Sequence, residues 1–281
     1  MKRLRVAAQL IAWMARLGTD LNGVLDEVAL LSFDGVEVMS LSVMLPKFTV
    51  QEISDLLDSR SLKLAAIYSE SDWGEGPQAE RELDLLKRTG GQLMVVGGPH
   101  EIKACTREIY SNHAQIASKV GKKLNKSGIT LCYHPHATDL KNNLKVFLEE
   151  SDPENVSIAM DTTWFTRGGI NPAEFLKEHG KRVPYVHLKD FKGEIDSKET
   201  SKTTCNKLPQ SMRDTLGSGE LAKLPLFVPV GEGELNFKPI MKEISKLDIE
   251  WVAVEQDRVF WGSPKDNMQA SRENLKKRFG I

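Results

Sequence analysis

Two residues with metal-binding chemistry stand at the ends of two short apolar runs. Asp161 follows the run 156–160, and His187 lies within the run 183–188. A helical pattern joins the runs. A strand, a helix and a second strand within roughly 30 residues form the βαβ unit, whose parallel strands place both carboxyl ends on one edge of a sheet. Asp161 and His187 can therefore face one pocket. The pattern recurs on either side of them: His134 closes the run 130–134 and Glu255 closes the run 251–255. Two imidazoles and two carboxylates make a mixed nitrogen and oxygen set suited to manganese, cobalt, iron or zinc, with open positions for substrate oxygens. A lone histidine at a strand end usually satisfies a hydrogen bond. Four ligand-type residues at the ends of consecutive strands point instead to one metal centre.

The elements that position them alternate regularly. Short β-type runs at 6–12, 35–39, 62–68, 92–97, 130–134, 156–160, 183–188 and 251–255 are separated by longer helical patterns. In 49–59, Val50, Ile53, Leu56 and Leu57 recur at helical spacing behind a Thr49 cap, and 78–88 and 106–125 read the same way. Asn171 followed by Pro172 starts another helix, which Gly180 stops. Eight strands joined by helical crossovers imply an α/β fold, a single-domain (β/α)8 TIM barrel over residues 1–281, whose strand ends converge on one face. An open doubly wound sheet is the runner-up. It lacks support because no GxGxxG follows the first run and 10–17 contains no glycine. The polar stretch 193–229 interrupts the rhythm after the seventh strand. Leaving a strand's carboxyl end, it either overhangs the active face as a binding loop or packs on the surface, where a neighbouring subunit of a homo-oligomer could meet it.

Composition narrows the chemistry. The 281 residues carry 38 Lys plus Arg against 39 Asp plus Glu, a net charge of −1, so nothing selects nucleic acid as a partner. With 40% hydrophobic residues the chain can bury a large core, yet no window holds the ~18 apolar residues of a membrane span. Cys105, Cys132 and Cys205 are far apart and in no CxxC arrangement, which suits reduced thiols in a cytoplasmic protein. The amino terminus is basic, then apolar, but Arg16 interrupts it and it reads as the first barrel strand rather than a signal peptide. A small neutral or modestly charged substrate fits this balance.

Several motifs match a known family. YHPH at 133–136, MDTTWFTRGGINP at 160–172, VHLKD at 186–190, VGEGELNF at 230–237 and VEQD at 254–257 resemble the xylose-isomerase-like TIM-barrel superfamily, the sugar phosphate isomerase/epimerase proteins. The resemblance covers the carboxyl-terminal half well and the first 120 or so residues mainly by pattern. It implies one divalent metal bound by Asp161, His187 and Glu255, with the fourth ligand from strand five. Manganese is taken first, with cobalt, zinc and magnesium as alternatives. Epimerases of this family carry Glu on strand five and use two carboxylates on opposite faces of the substrate. Here His134 occupies that place, and a metal-bound imidazole cannot also take a proton.

The resemblance implies a carbohydrate or polyol ketone as substrate and proton abstraction next to its carbonyl. Isomerisation or epimerisation ranks first on the breadth of the family, and inosose-dehydratase-like loss of water second. The dehydratase branch matches in YHPH, in DT followed by GG, in HLKD, in the long insertion and in EQD. Glu255 is the expected ligand and base. Lys189 orients an enediolate oxygen or acts as the acid, with His136 as the other acid; a structural pairing of Lys189 with Asp190 is the bland alternative. Trp164, where epimerases carry His, reads as a stacking wall. Arg258 is expected to hold a substrate hydroxyl or carboxylate, and Trp13, Tyr68 and Trp73 to stack on a sugar ring. Glu37 is expected to be a buried hydrogen-bonder. An apurinic-type endonuclease would need more metal ligands and a basic face than six histidines and a charge of −1 supply. A non-catalytic carbohydrate binder is the remaining alternative.

Overall fold

Eight parallel strands close on themselves in the computed structural model, which describes residues 3–69, 75–97, 106–136, 140, 143–194 and 225–281. In chain order they are β1 (Arg5–Gln9), β2 (Gly35–Met39), β3 (Lys63–Ser69), β4 (Leu93–Gly97), β5 (Thr130–His134), β6 (Val156–Asp161) and β7 (Tyr185–Leu188). An antiparallel pair, β8 (Asp190–Glu194) and β9 (Pro225–Val228), stands outside the barrel, and β10 (Trp251–Val254) closes it between β7 and β1. This is the expected (β/α)8 barrel. Its strands read as continuous apolar runs because helices cover their outer faces while side chains fill the interior; all five residues of β2 are buried.

Local chemistry sets the helix starts. The Val50–Asp58 helix opens with a capping box between Thr49 and Glu52, Arg107–Asn125 is capped by Thr106, and Pro172–His179 begins behind Asn171, all as the sequence implies. Close packing then depends on missing side chains. A Cβ on Gly121 would lie 1.9 Å from the Asn155 carbonyl oxygen, so the Arg107–Asn125 helix seats on the turn before β6 only with glycine there. Gly121→Ala is expected to cost about 1–3 kcal/mol through overpacking. An unchanged melting temperature would contradict this packing account.

Two expectations change. The first strand stops at Gln9 instead of running to residue 12, because the Gln9 side chain accepts the Ile11 N–H at 2.6 Å and turns Leu10–Trp13 into a 3-10 helix. Both conformations bury apolar residues, so hydrophobicity alone does not separate them. The stretch placed at 193–229 is rooted earlier, in a ribbon pairing Asp190 with Val228 and Phe191 with Phe227. Its middle, 195–224, lies outside the described residues, as do Trp73, Cys105 and Cys205. Among the described residues no helix is long and apolar enough to cross a membrane.

Candidate metal centre

Barrel register brings the four ligand-type residues to one edge. His134 and Asp161 end β5 and β6, Asp161 pairs with His187 across β6 and β7, and Glu255 immediately follows β10. One ligand atom from each lies within 4.8 Å of the others. All four residues are buried, and His134 Nε2, Asp161 Oδ2, His187 Nδ1 and Glu255 Oε2 lack a hydrogen-bond partner. His187 Nδ1 and Glu255 Oε2 are only 2.6 Å apart, yet that contact does not have hydrogen-bond geometry. An unsatisfied buried polar atom costs roughly 1–3 kcal/mol, so four converging on one point are anomalous unless something sits between them. A divalent cation with nitrogen and oxygen ligands fits this donor set.

Three of these side chains are held through their second polar atom, whereas His134 Nδ1 also lacks a hydrogen-bond partner. Asp161 Oδ1 accepts the Trp164 N–H at 2.7 Å, capping the Thr162–Arg167 helix and leaving Oδ2 for the cluster. His187 Nε2 lies 2.7 Å from Glu37 Oε2, which also accepts the Tyr185 hydroxyl at 2.5 Å. Glu255 Oε1 accepts from Lys189 Nζ at 3.0 Å.

The electrostatics follow from burial set against these partners. Burial raises the Asp161 carboxyl to about 7, with Glu255 adding to the rise and Lys189 and His187 opposing it. Burial, then the neighbouring His187 and His136, pushes His134 well below the usual imidazole range. Burial works against a charged His187, but Glu37 and Glu255 outweigh it and carry the ring well above that range. Burial would likewise raise Glu255, yet Lys189 and His187 hold it well below the usual carboxylate range.

Asp161 sets a testable pH dependence. Its folded pKa of about 7 lies above the ~3.9 of an unfolded aspartate, so the folded state holds the extra proton between those values and the group's contribution to stability falls as pH rises through that window. Metal-free wild type should therefore lose stability relative to Asp161→Asn as pH rises from about 4 to about 7. Thermal melting of the two chelator-treated proteins measures this, and a pH-independent gap would contradict it.

The walls are aromatic and contain one buried cation. Lys189 is 1% exposed, and its Nζ donates to Asp257 Oδ1 at 2.9 Å as well as to Glu255. It also lies 5.0 Å from the Trp164 ring and 4.6 Å from the Phe227 ring. Asp190 is not its partner. That carboxylate accepts the N–H groups of Gly231, Gly233, Leu235 and its own neighbour Phe191, holding the glycine-rich turn beside the pocket. A Cβ on Gly233 would meet Asp190 Oδ1 at 2.1 Å.

The half-buried His136 has its ring 5.0 Å from His134 and 5.7 Å from Trp164, and Tyr68 is 5.4 Å from His134. Lys189, His136, Trp164 and Tyr68 thus gather at the cluster. Arg258 is half-buried three residues beyond Glu255. Trp13 is a correction to the expected stacking residue: it is 1% exposed, and its indole N–H donates to Glu27 Oε2 at 2.7 Å, so it fills the core behind the 3-10 turn. Asp257 and Phe227 were not anticipated. Asp257 belonged to the EQD motif that drew attention to Glu255, whereas Phe227 lies in the insertion, where no local pattern marked it.

The family model described as xylose isomerase-like TIM barrel matches residues 25–278. The chain belongs to that family. An inosose dehydratase from Clostridium beijerinckii is 25% identical over 280 residues, covering 91% of this chain and 88% of that protein. A sugar phosphate isomerase/epimerase from Parabacteroides distasonis superposes with a TM-score of 0.74 at 15% identity, covering 99% of this chain and 96% of the other. The IolI protein, whose crystal structure contains a bound zinc atom, superposes with a TM-score of 0.73 at 12% identity, covering 99% of this chain and 100% of the other. At such identities the structural likenesses show the shared barrel. Relatives and neighbours together bear dehydratase and isomerase or epimerase names.

Proposed function

We propose that the protein is a metal-dependent hydro-lyase that removes water from a cyclic polyol ketone, a reading that reverses the order drawn from the breadth of the family. The observation that carries it is the proton equipment of the pocket. Strand five offers His134 in place of a carboxylate, and Glu255 has Oε1 on Lys189 and Oε2 turned into the cluster. Among the described residues no pair of uncommitted carboxylates flanks the centre, whereas elimination needs only one group able to take a proton and return it. The 25% identity to an inosose dehydratase supports the same reading.

Held by His134, Asp161, His187 and Glu255, a divalent ion, with manganese first and cobalt, zinc or magnesium as alternatives, supplies Lewis acidity toward the substrate carbonyl. Glu255 then serves as a ligand, and its expected role as base passes to His136. The His136 imidazole takes the proton from the carbon next to the carbonyl. Those electrons form the new carbon–carbon double bond as the bond to the β-hydroxyl breaks, and the same imidazole returns the proton to the departing hydroxide, releasing water. Lys189, kept charged by Glu255 and Asp257, places positive charge near the oxygen that gains electron density. Trp164 and Tyr68 form walls for the ring, and Arg258 holds a hydroxyl at the rim. The substrate is small, and no surface for nucleic acid or membrane enters this reading.

A second reading, isomerisation or epimerisation, draws on Asp257. Burial and the nearby Glu255 raise that carboxyl to about 6 against the opposing pull of Lys189, making it a possible second proton carrier. Incubating manganese-loaded protein with keto-inositols and ketoses in deuterated water separates the readings. Dehydration gives an ultraviolet-absorbing unsaturated product. An epimeric or isomeric sugar labelled with deuterium, without water loss, would select the second reading, and neither water loss nor exchange with any keto-polyol or ketose would sink both. His136→Gln is expected to lower kcat by about 10²–10⁴-fold; wild-type turnover would remove His136 from the chemistry.

A further inference from the structure

Glu37 is a fully buried carboxylate outside the ligand set, with 0% exposure on β2. Barrel interiors are normally filled by Val, Ile and Leu, so a carboxylate there needs a reason. Its neighbours supply one. Oε2 is held by the Tyr185 hydroxyl at 2.5 Å and by His187 Nε2 at 2.7 Å. Tyr185 and His187 are two residues apart on β7 and so project to the same face of the strand. In the closed order, β10 and β1 separate β7 from β2, so the contact is made through the barrel interior and not between neighbouring strands.

Resting on the metal-centre reading, we infer that Glu37 is a positioning residue that fixes the ring of His187 and delivers its Nδ1 to the ion. An ionised carboxylate only accepts hydrogen bonds, so Nε2 must carry the hydrogen in this pair. The lone pair of a neutral ring is then on Nδ1, the nitrogen that lies 2.6 Å from Glu255 Oε2 and lacks hydrogen-bond geometry. Tyr185 pins the same Glu37 oxygen from a second direction, which limits rotation of the carboxylate and therefore of the imidazole. Carboxylate partners of metal-bound histidines set both orientation and basicity in this way. The three residues form one chain, Tyr185 to Glu37 to His187, ending at the cluster.

The test is metal affinity, which does not depend on knowing the substrate. Wild type, Glu37→Gln and Tyr185→Phe, stripped with chelator, are titrated with Zn²⁺ against a competing chromophoric chelator and with Co²⁺ followed by visible absorption. Glu37→Gln is expected to weaken Zn²⁺ binding about 10- to 100-fold and to shift the Co²⁺ band. Tyr185→Phe should weaken binding less, with a band between the two. A purely structural Glu37 would lower the melting temperature of the metal-free protein while leaving Kd and the Co²⁺ spectrum at wild-type values, and that result overturns the inference. Should Glu37→Gln fail to fold, Tyr185→Phe decides: a shifted band supports positioning and a wild-type band overturns it. Absence of binding by wild type itself would overturn the metal-centre reading, an outcome distinct from unchanged binding in the variants.

Discussion

Asp161→Ala and His187→Ala proteins are expected to be isolated without a divalent ion and without turnover. Each removes one of four ligand atoms that lie within 4.8 Å of one another, and the loss of affinity should exceed the roughly 10- to 100-fold that an outer partner contributes. In wild type, metal at about 1,000 times Kd should add ~4 kcal/mol to stability, because only the folded chain assembles the four ligands. That increment should vanish in both variants. Metal-free His187→Ala should also melt below wild type, because Glu37 and Glu255 lose the buried ring between them, and Asp161→Ala loses the cap on Trp164 N–H, a cost of about 1 kcal/mol. Elemental analysis and melting with and without added metal measure both effects. Full occupancy in both variants would show that the centre lies elsewhere.

Lys189→Met is expected to be the most damaging substitution outside the ligand set. It keeps the length of the apolar stem and removes the ammonium, leaving Glu255 and Asp257 without the cation that both contact within 3.0 Å. Removing one partner of a buried ion pair strands charge in a poorly solvated site, at a cost of about 3–5 kcal/mol. Turnover should be lost as well, because Trp164 and Phe227 pack around the same ammonium and the pocket wall would relax. Lys189→Arg should not restore activity, since a planar guanidinium does not fit a site built around a compact ammonium. Denaturant unfolding reads the first effect and turnover of metal-loaded protein the second. A stability loss of under about 1 kcal/mol would mean that Glu255 and Asp257 do not depend on this cation.

Much of the centre was legible in the chain because barrel strands are short, parallel and regularly spaced. His134, Asp161, His187 and Glu255 each stand at a strand end, and once alternation implied a closed barrel their convergence followed. The Thr49 and Asn171 caps were equally legible, since a cap is a local hydrogen bond between residues two or three apart. Trp13 was not. Nothing nearby in the sequence distinguishes an aromatic beyond a strand that faces a pocket from one turned inward to Glu27.

The sequence by itself determined the barrel, the edge on which its chemistry gathers and the identity of the four ligand-type residues. Tertiary structure alone decided how those residues are wired. Glu37 meets His187 across the barrel interior, and Phe227 reaches Lys189 from the base of an insertion. Lys189 turns to Glu255 and Asp257 while its sequence neighbour Asp190 holds the turn at 231–235. The physical reason is the range of the forces. Periodicity and capping act over a few residues and leave a trace in the chain, whereas a buried charge takes whichever partner the closed barrel brings within about 3 Å, at any separation in sequence.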